Sequence, residues 1–162
     1  GFRDLSEVPT QMQGAGGGTI HDFTLGLPTG LEPDTLLARA EIVEQAIACV
    51  LNSEAENDIF NRLVVACNLT ANEADWLRAF YRYLRQSNIA FTIYTVVDAL
   101  AGTPAVTRGL IDLFRTRHDP AFLGDRTSAG NAIDDAIKAA LADVVAINDD
   151  RLFNFLFFLK FT

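Results

Sequence analysis

Thr70-Ala71-Asn72-Glu73 constrains this chain more than any other four residues. They spell a capping box, in which the Thr70 hydroxyl accepts from the Glu73 amide and the Glu73 carboxylate accepts from the Thr70 amide. Such a cap contributes about 1 kcal/mol and fixes where a helix begins. Leu69, just before the box, is placed as a hydrophobic staple onto Ala74 or Leu77. Trp76, Leu77, Phe80, Tyr83 and Leu84 then form one broad apolar face. A helix with so fixed a start and so wide a stripe has to be buried against other helices.

The rest of the chain reads in the same way. Asp34 is placed as the N-cap of a helix whose apolar positions are Leu36, Ala40, Val43, Ile47 and Val50, ending at Asn52 and Ser53. A shorter helix is expected over 58–68, with Ile59, Leu63 and Ala66 or Cys67 facing inward. Thr92 or a neighbour opens a helix to Ala101 that Gly102 stops, and Thr103-Pro104 starts the next as a capping hydroxyl followed by proline. Val106, Leu110, Leu113 and Phe114 face inward there, and His118-Asp119-Pro120 ends it. Residues 121–130 read as a loop. Ile133, Ile137, Leu141 and Val144 imply a long helix, and Asn148 or Asp149 can cap a last one.

Ahead of the helices, residues 9–18 (PTQMQGAGGG) read as a linker, and 1–18 as a flexible Gly-rich N-terminus. Gly14 and Gly16 begin a GxGxxG, but Thr19 takes the last glycine position and a strand pattern follows, which removes the dinucleotide-loop reading. Residues 20–27 place Phe23, Leu25 and Leu27 on one face of a short strand. A single strand cannot satisfy its own backbone. Its partner has to be something upstream, another copy, or a hairpin made from the first residues. The expected architecture is all-α: a bundle of about six or seven helices over 34–162, with strand and turn at 19–33.

With 162 residues, the chain is long enough for one domain with a core. A composition of 49% hydrophobic and 21% charged residues is that of a globular protein. The net charge of -8 repels phosphate backbones and anionic bilayers, so neither nucleic acid nor membrane is an expected partner. Cys49 and Cys67 stand 18 positions apart with no CxxC, which gives no zinc pattern. Two reduced thiols on apolar stretches fit a cytoplasmic setting. Residues 1–18 carry no secretory pattern. With Gly1 in place of an initiating Met, the sequence is expected to be a piece of a longer chain.

The residues that could carry chemistry are few. Arg78, Arg82 and Arg85 recur at four- and three-residue steps opposite Trp76, Phe80 and Leu84, a basic stripe on an acidic protein. It reads either as a docking stripe for an acidic partner domain or anion, or as a solvated face with local ion pairs such as Asp75 with Arg78. Asp112 can pair in the same way with Arg108 or Arg115. Glu54, Glu56 and Asp58 serve a helix dipole and solvation better than calcium, since no loop glycine or further ligand follows at the right spacing. His21 and His118 have no nucleophile in a suitable context. The Phe-rich run 152–161 is too short to span a bilayer as a helix, which needs about 20 residues. It suggests either an approach to a further domain or a self-association surface.

The segments AENDIFNRLV (55–64), LRAFYRYLRQ (77–86) and LIDLFRTRHDP (110–120) resemble the large bacterial NAD-specific glutamate dehydrogenases, and the resemblance extends over roughly 21–151. Asn57, Phe60, Asn61, Arg62, Leu63, Tyr83, Leu84, Arg85 and Gln86 carry it. The resemblance implies a parent enzyme that deaminates glutamate oxidatively to 2-oxoglutarate and ammonia with NAD, and a helical region ahead of its catalytic core. That family's catalytic lysine and aspartate and its dinucleotide fold lie downstream, and no residue here matches them. No catalytic, cofactor-binding or metal residue is therefore assigned, NAD belongs to the parent, and the fragment alone is expected to be inactive. The implied partners are other domains of the same polypeptide in a homo-oligomer. The alternative is an independent helical interaction module that uses the arginine stripe.

Overall fold

A computed structural model describes residues 3–14, 16–27, 30–86 and 91–142. It divides into two units, 1–40 and 41–162.

The first unit is built on a β-hairpin. Strand β1 (Arg3–Met12) pairs antiparallel with β2 (Gly18–Gly26), with Pro9 opposite His21, Thr10 opposite Ile20 and a bulge between Asp4 and Ser6. Of the three partners open to the strand, the first residues of the chain are the one that pairs. The expected linker is therefore corrected: its first four positions, Pro9 to Met12, belong to β1. Gly14 and Gly17 form the turn instead, closed by the Gly17 amide donating to the Gly14 carbonyl at 3.2 Å. Alternation in β1 is weak, because Pro9 and charged residues interrupt it, and only the ladder with β2 reveals it as a strand.

Helix α1 (Pro33–Leu37) follows, with Glu32 rather than Asp34 at its N-cap position and proline in the first turn. The single helix expected over 34–50 is two: the chain turns at Ala38 and Arg39 before α2 (Ala40–Leu51) begins. Helix α2 contains no fully buried residue, and Leu51 at its end is 78% exposed.

In the second unit the core gathers around α3 to α7. The Asp58 carboxylate accepts from the Phe60 amide at 2.9 Å and starts a 3-10 turn (Ile59–Asn61) that leads into α3 (Arg62–Ala66). Cys67, not Ala66, faces the core. Asn68, at φ 54, reverses the chain. The box predicted at Thr70 opens α4 (Ala71–Gln86): the Glu73 amide donates to Thr70 Oγ1 at 3.2 Å and the Thr70 amide to Glu73 Oε2 at 2.8 Å. Thr92 caps α5 (Ile93–Gly102), accepting from the Thr95 amide. Helix α6 (Pro104–His118) begins at Thr103, whose hydroxyl donates back to the Ala99 carbonyl at 2.9 Å instead of capping α6.

Helix α7 (Arg126–Ala142) starts inside the segment expected to be a loop. Asp125 accepts from the Thr127 amide and the Ser128 hydroxyl, so Asp-Arg-Thr-Ser is a helix start rather than loop composition. Gly109 lets α6 and α7 approach closely: a Cβ there would sit 2.6 Å from Ile137 Cγ1. The buried centre includes Phe60, Leu63, Leu69, Leu77, Val97, Leu100, Leu110 and Ile111. Seven α-helices and one hairpin among the described residues give the mostly helical bundle expected from the sequence. Val144, the helix starts proposed at Asn148 or Asp149, and the Phe-rich run 152–161 lie outside the described residues.

Candidate functional site

The charged residues of α4 other than Arg85 fall into two ion-pair networks. The first centres on Arg78. Although it lies in the stripe opposite the aromatic face, it is only 3% exposed. Its guanidinium takes Asp58 in a fork: Nε lies 2.6 Å from Oδ2 and Nη2 lies 2.8 Å from Oδ1. Nη2 also donates to Asn61 Oδ1 at 3.1 Å, Nη1 pairs with Asp75, and the group lies over the Phe60 ring. The buried charge is thus paired on both sides, with Nε and Nη2 hydrogen-bonded and Nη1 held by Asp75 through charge alone.

One turn on, Arg82 forms a second fork with Glu56, at 2.7 and 2.5 Å, in the open. The Arg82 hydrogen bond holds the Glu56 carboxyl below the usual glutamate range. Arg85 is exposed, and its side chain has neither hydrogen bond nor ion pair among the described residues. The three arginines of the expected stripe therefore part company. Arg78 is an internal staple, Arg82 clips the 52–58 segment to α4, and Arg85 faces solvent. The acidic run is what the stripe binds, because Glu56 and Asp58 are its partners. Sequence spacing found the Asp75–Arg78 pair and missed Asp58, which lies 20 residues away.

Between α4 and the end of α2 runs an open groove. Glu54, Glu56, Asp75, Arg82, Tyr83 and Gln86 line it, and Tyr83 is mostly exposed there.

The second network centres on Glu73, 2% exposed. Oε2 holds the Thr70 amide, while Oε1 accepts from Arg108 Nη1 at 2.8 Å and pairs with Arg115 Nη2 at 3.2 Å. Arg108 also donates to the Asn68 carbonyl. The expected partners of Arg108 and Arg115 are corrected in part: Glu73 binds both. Asp112 lies near both arginines, and burial pushes its carboxyl above the usual aspartate range. Arg115 also covers Trp76 at 5.6 Å, and Phe114 packs 5.1 Å from Trp76 and 5.2 Å from Phe80.

Cys67 is buried and hydrogen-bonded to the Leu100 carbonyl at 3.4 Å, and burial pushes its thiol up to about 11. Among the described residues no group of His, Cys, Asp and Glu is gathered for a metal ion. No described helix is long and apolar enough to cross a membrane.

The fold is a mostly helical bundle in which two buried ion-pair networks join the helices to one another and to the 52–58 segment. Residues 55–120, which hold both networks, match the family model described as glutamate dehydrogenase, helical motif 3. The chain is 33% identical over 160 residues to the NAD-specific glutamate dehydrogenase of Pseudomonas aeruginosa, and 34% over 155 residues to that of Halomonas elongata. Each alignment covers 94% of this chain. The enzyme of the same name from Mycobacterium tuberculosis is 29% identical over 116 residues, 71% of this chain. By these matches the chain carries a helical motif of the NAD-specific glutamate dehydrogenases. It spans 10% of the length of the Pseudomonas relative, 9% of the Halomonas relative and 7% of the Mycobacterium one.

Proposed function

We propose that this chain is a non-catalytic helical region of a large NAD-dependent glutamate dehydrogenase, which converts glutamate to 2-oxoglutarate and ammonia. Its role is to pack between other domains or subunits of that cytoplasmic enzyme of amino-acid catabolism. NAD and glutamate bind elsewhere in the parent. One observation carries the reading: Arg78, Arg82, Arg108 and Arg115, the cations best placed for anion chemistry, are engaged by Asp58, Glu56 and Glu73 within the bundle. A site so neutralised supports rigidity rather than turnover. What remains for contact is the exposed outer part of the stripe: Arg85, and Arg82, whose fork with Glu56 lies in the open and which lines the groove with Tyr83. Arginine and tyrosine at a groove edge are the residue types that dominate interfaces.

Two experiments test this. The 162-residue chain alone should give no glutamate-dependent NAD reduction, and activity from it would overturn the reading. In the full-length enzyme, Arg82→Glu and Arg85→Glu should each weaken assembly as measured by analytical ultracentrifugation. The helical content of the isolated region should stay unchanged. Intact assembly in both variants would remove the stripe from the proposal.

A further inference from the structure

Every described residue of the hairpin from Arg3 to Leu25 is exposed, and both faces carry apolar side chains. The register puts Val8 and Ile20 on one face and Phe23 on the other, and each of the three is about half exposed. A lone two-stranded ribbon is marginal in water, and apolar groups on both faces mark a strand pair meant for the inside of a larger sheet.

The two outer edges are not equivalent. Strand β1 carries the devices that block edge pairing: a bulge at Asp4/Ser6, the proline at position 9, and the charges Arg3, Asp4 and Glu7. Strand β2 has no proline and no bulge, and Asp22 is its single carboxylate. Among the described residues nothing pairs with its outer edge. A second copy is a poor occupant. Asp22 is the middle residue of Gly18–Gly26, so a symmetric antiparallel pairing of two β2 strands would set Asp22 against Asp22. Like charges directly opposite are destabilising. The relatives extend far beyond the tenth of their length that this chain covers, which leaves ample polypeptide to supply a partner.

We infer that β2 is the docking edge of the hairpin and that a β-strand from another domain of the same parent polypeptide pairs with it, adding the hairpin to that domain's sheet. This rests on the reading of the chain as a packing region of a larger enzyme and specifies one of its contacts.

Hydrogen exchange followed by mass spectrometry tests it on the full-length enzyme and on the 162-residue chain. Amides of 18–26 should exchange roughly tenfold or more slowly in the full-length enzyme. The isolated chain should be monomeric by light scattering. A tandem substitution, His21→Pro with Asp22→Pro, removes one donor from each side of β2 and should abolish the added protection. Equal exchange at 18–26 in both forms, with slowed exchange at α4 and α6, would sink the strand pairing and leave the packing reading standing. No slowing anywhere in the chain would overturn both. A dimeric isolated chain already protected at 18–26 would make a second copy the occupant and overturn the inference.

Discussion

Arg78 reaches 20 residues back to grip both carboxylate oxygens of Asp58, which itself caps the 3-10 turn at Phe60. A helix interior and a loop turn are thus joined through one buried guanidinium. Removing Arg78 leaves two carboxylates, Asp58 and Asp75, without their cation. Arg78→Ala should lower stability by about 3 kcal/mol, read from urea denaturation. Arg82→Ala breaks a fork in full solvent and should leave the urea midpoint nearly unchanged.

Glu73 should behave as a shared group. Thr70→Ala removes one half of the capping box and should cost about 1 kcal/mol. Glu73→Gln removes the charge that holds Arg108 and Arg115 and should cost about 2 kcal/mol. In a double-mutant cycle with Arg108→Ala, the two losses should fall short of additive by more than the roughly 0.5 kcal/mol seen for independent sites. Additivity would mean that the observed 2.8 Å contact contributes nothing.

Gly109→Ala tests the α6–α7 approach. The added methyl would meet Ile137 Cγ1 at 2.6 Å, and overpacking of this kind costs about 1–3 kcal/mol. Ile137→Ala opens the space, so the double variant should tolerate the new methyl better than the wild-type background does. If Gly109→Ala is as damaging in the Ile137→Ala background, the helices are not limited by that contact.

The Asp112 carboxyl is raised by burial, so the folded chain holds its proton more tightly than the unfolded chain. Stability is then lost as pH rises from the ordinary value of 3.8 through the higher folded value. Asp112→Asn should be more stable than wild type at pH 7 and equal to it below the unfolded pKa. Thermal melts of both proteins from pH 3 to 8 measure the difference. A parallel pH dependence in the two would refute the assignment.

Cys67 should resist alkylation. Its thiol is buried and pushed up to about 11, so almost no thiolate forms at pH 8. Iodoacetamide should label Cys49 first, with Cys67 reacting only on unfolding, as followed by mass spectrometry.

How much of this was legible in the sequence depended on range. Local signals held: the Thr70–Glu73 box, the Thr92 cap and the Asp119 stop each involve residues within about one turn of each other. Boundaries failed where two local signals competed. Asp34 looked like a cap, but Pro33 already fits the first turn and moves the start to Glu32. Asp125 was hidden by the loop-like composition around it, although its own side chain makes the helix start. The site was harder to read. Helical spacing put Arg78 on a solvent face, because period alone cannot register a loop carboxylate folding over that face. Glu73 was legible as a cap, while its pairing with Arg108 depends on how α4 meets α6. The hairpin needed its ladder, since β1 carries little alternation.

The division of labour within Glu73 has a kinetic consequence. One oxygen serves the amide three residues back, and the other serves an arginine 35 residues ahead. An isolated α4 peptide can close its box with the other oxygen in water, but burying that oxygen in the bundle without a partner would be costly. That carboxylate becomes comfortable there once α6 has arrived. Burial of the α4 start and arrival of α6 are therefore coupled. Nascent chains that have not yet emerged past Arg108 should show α4 fraying at its N-terminal end.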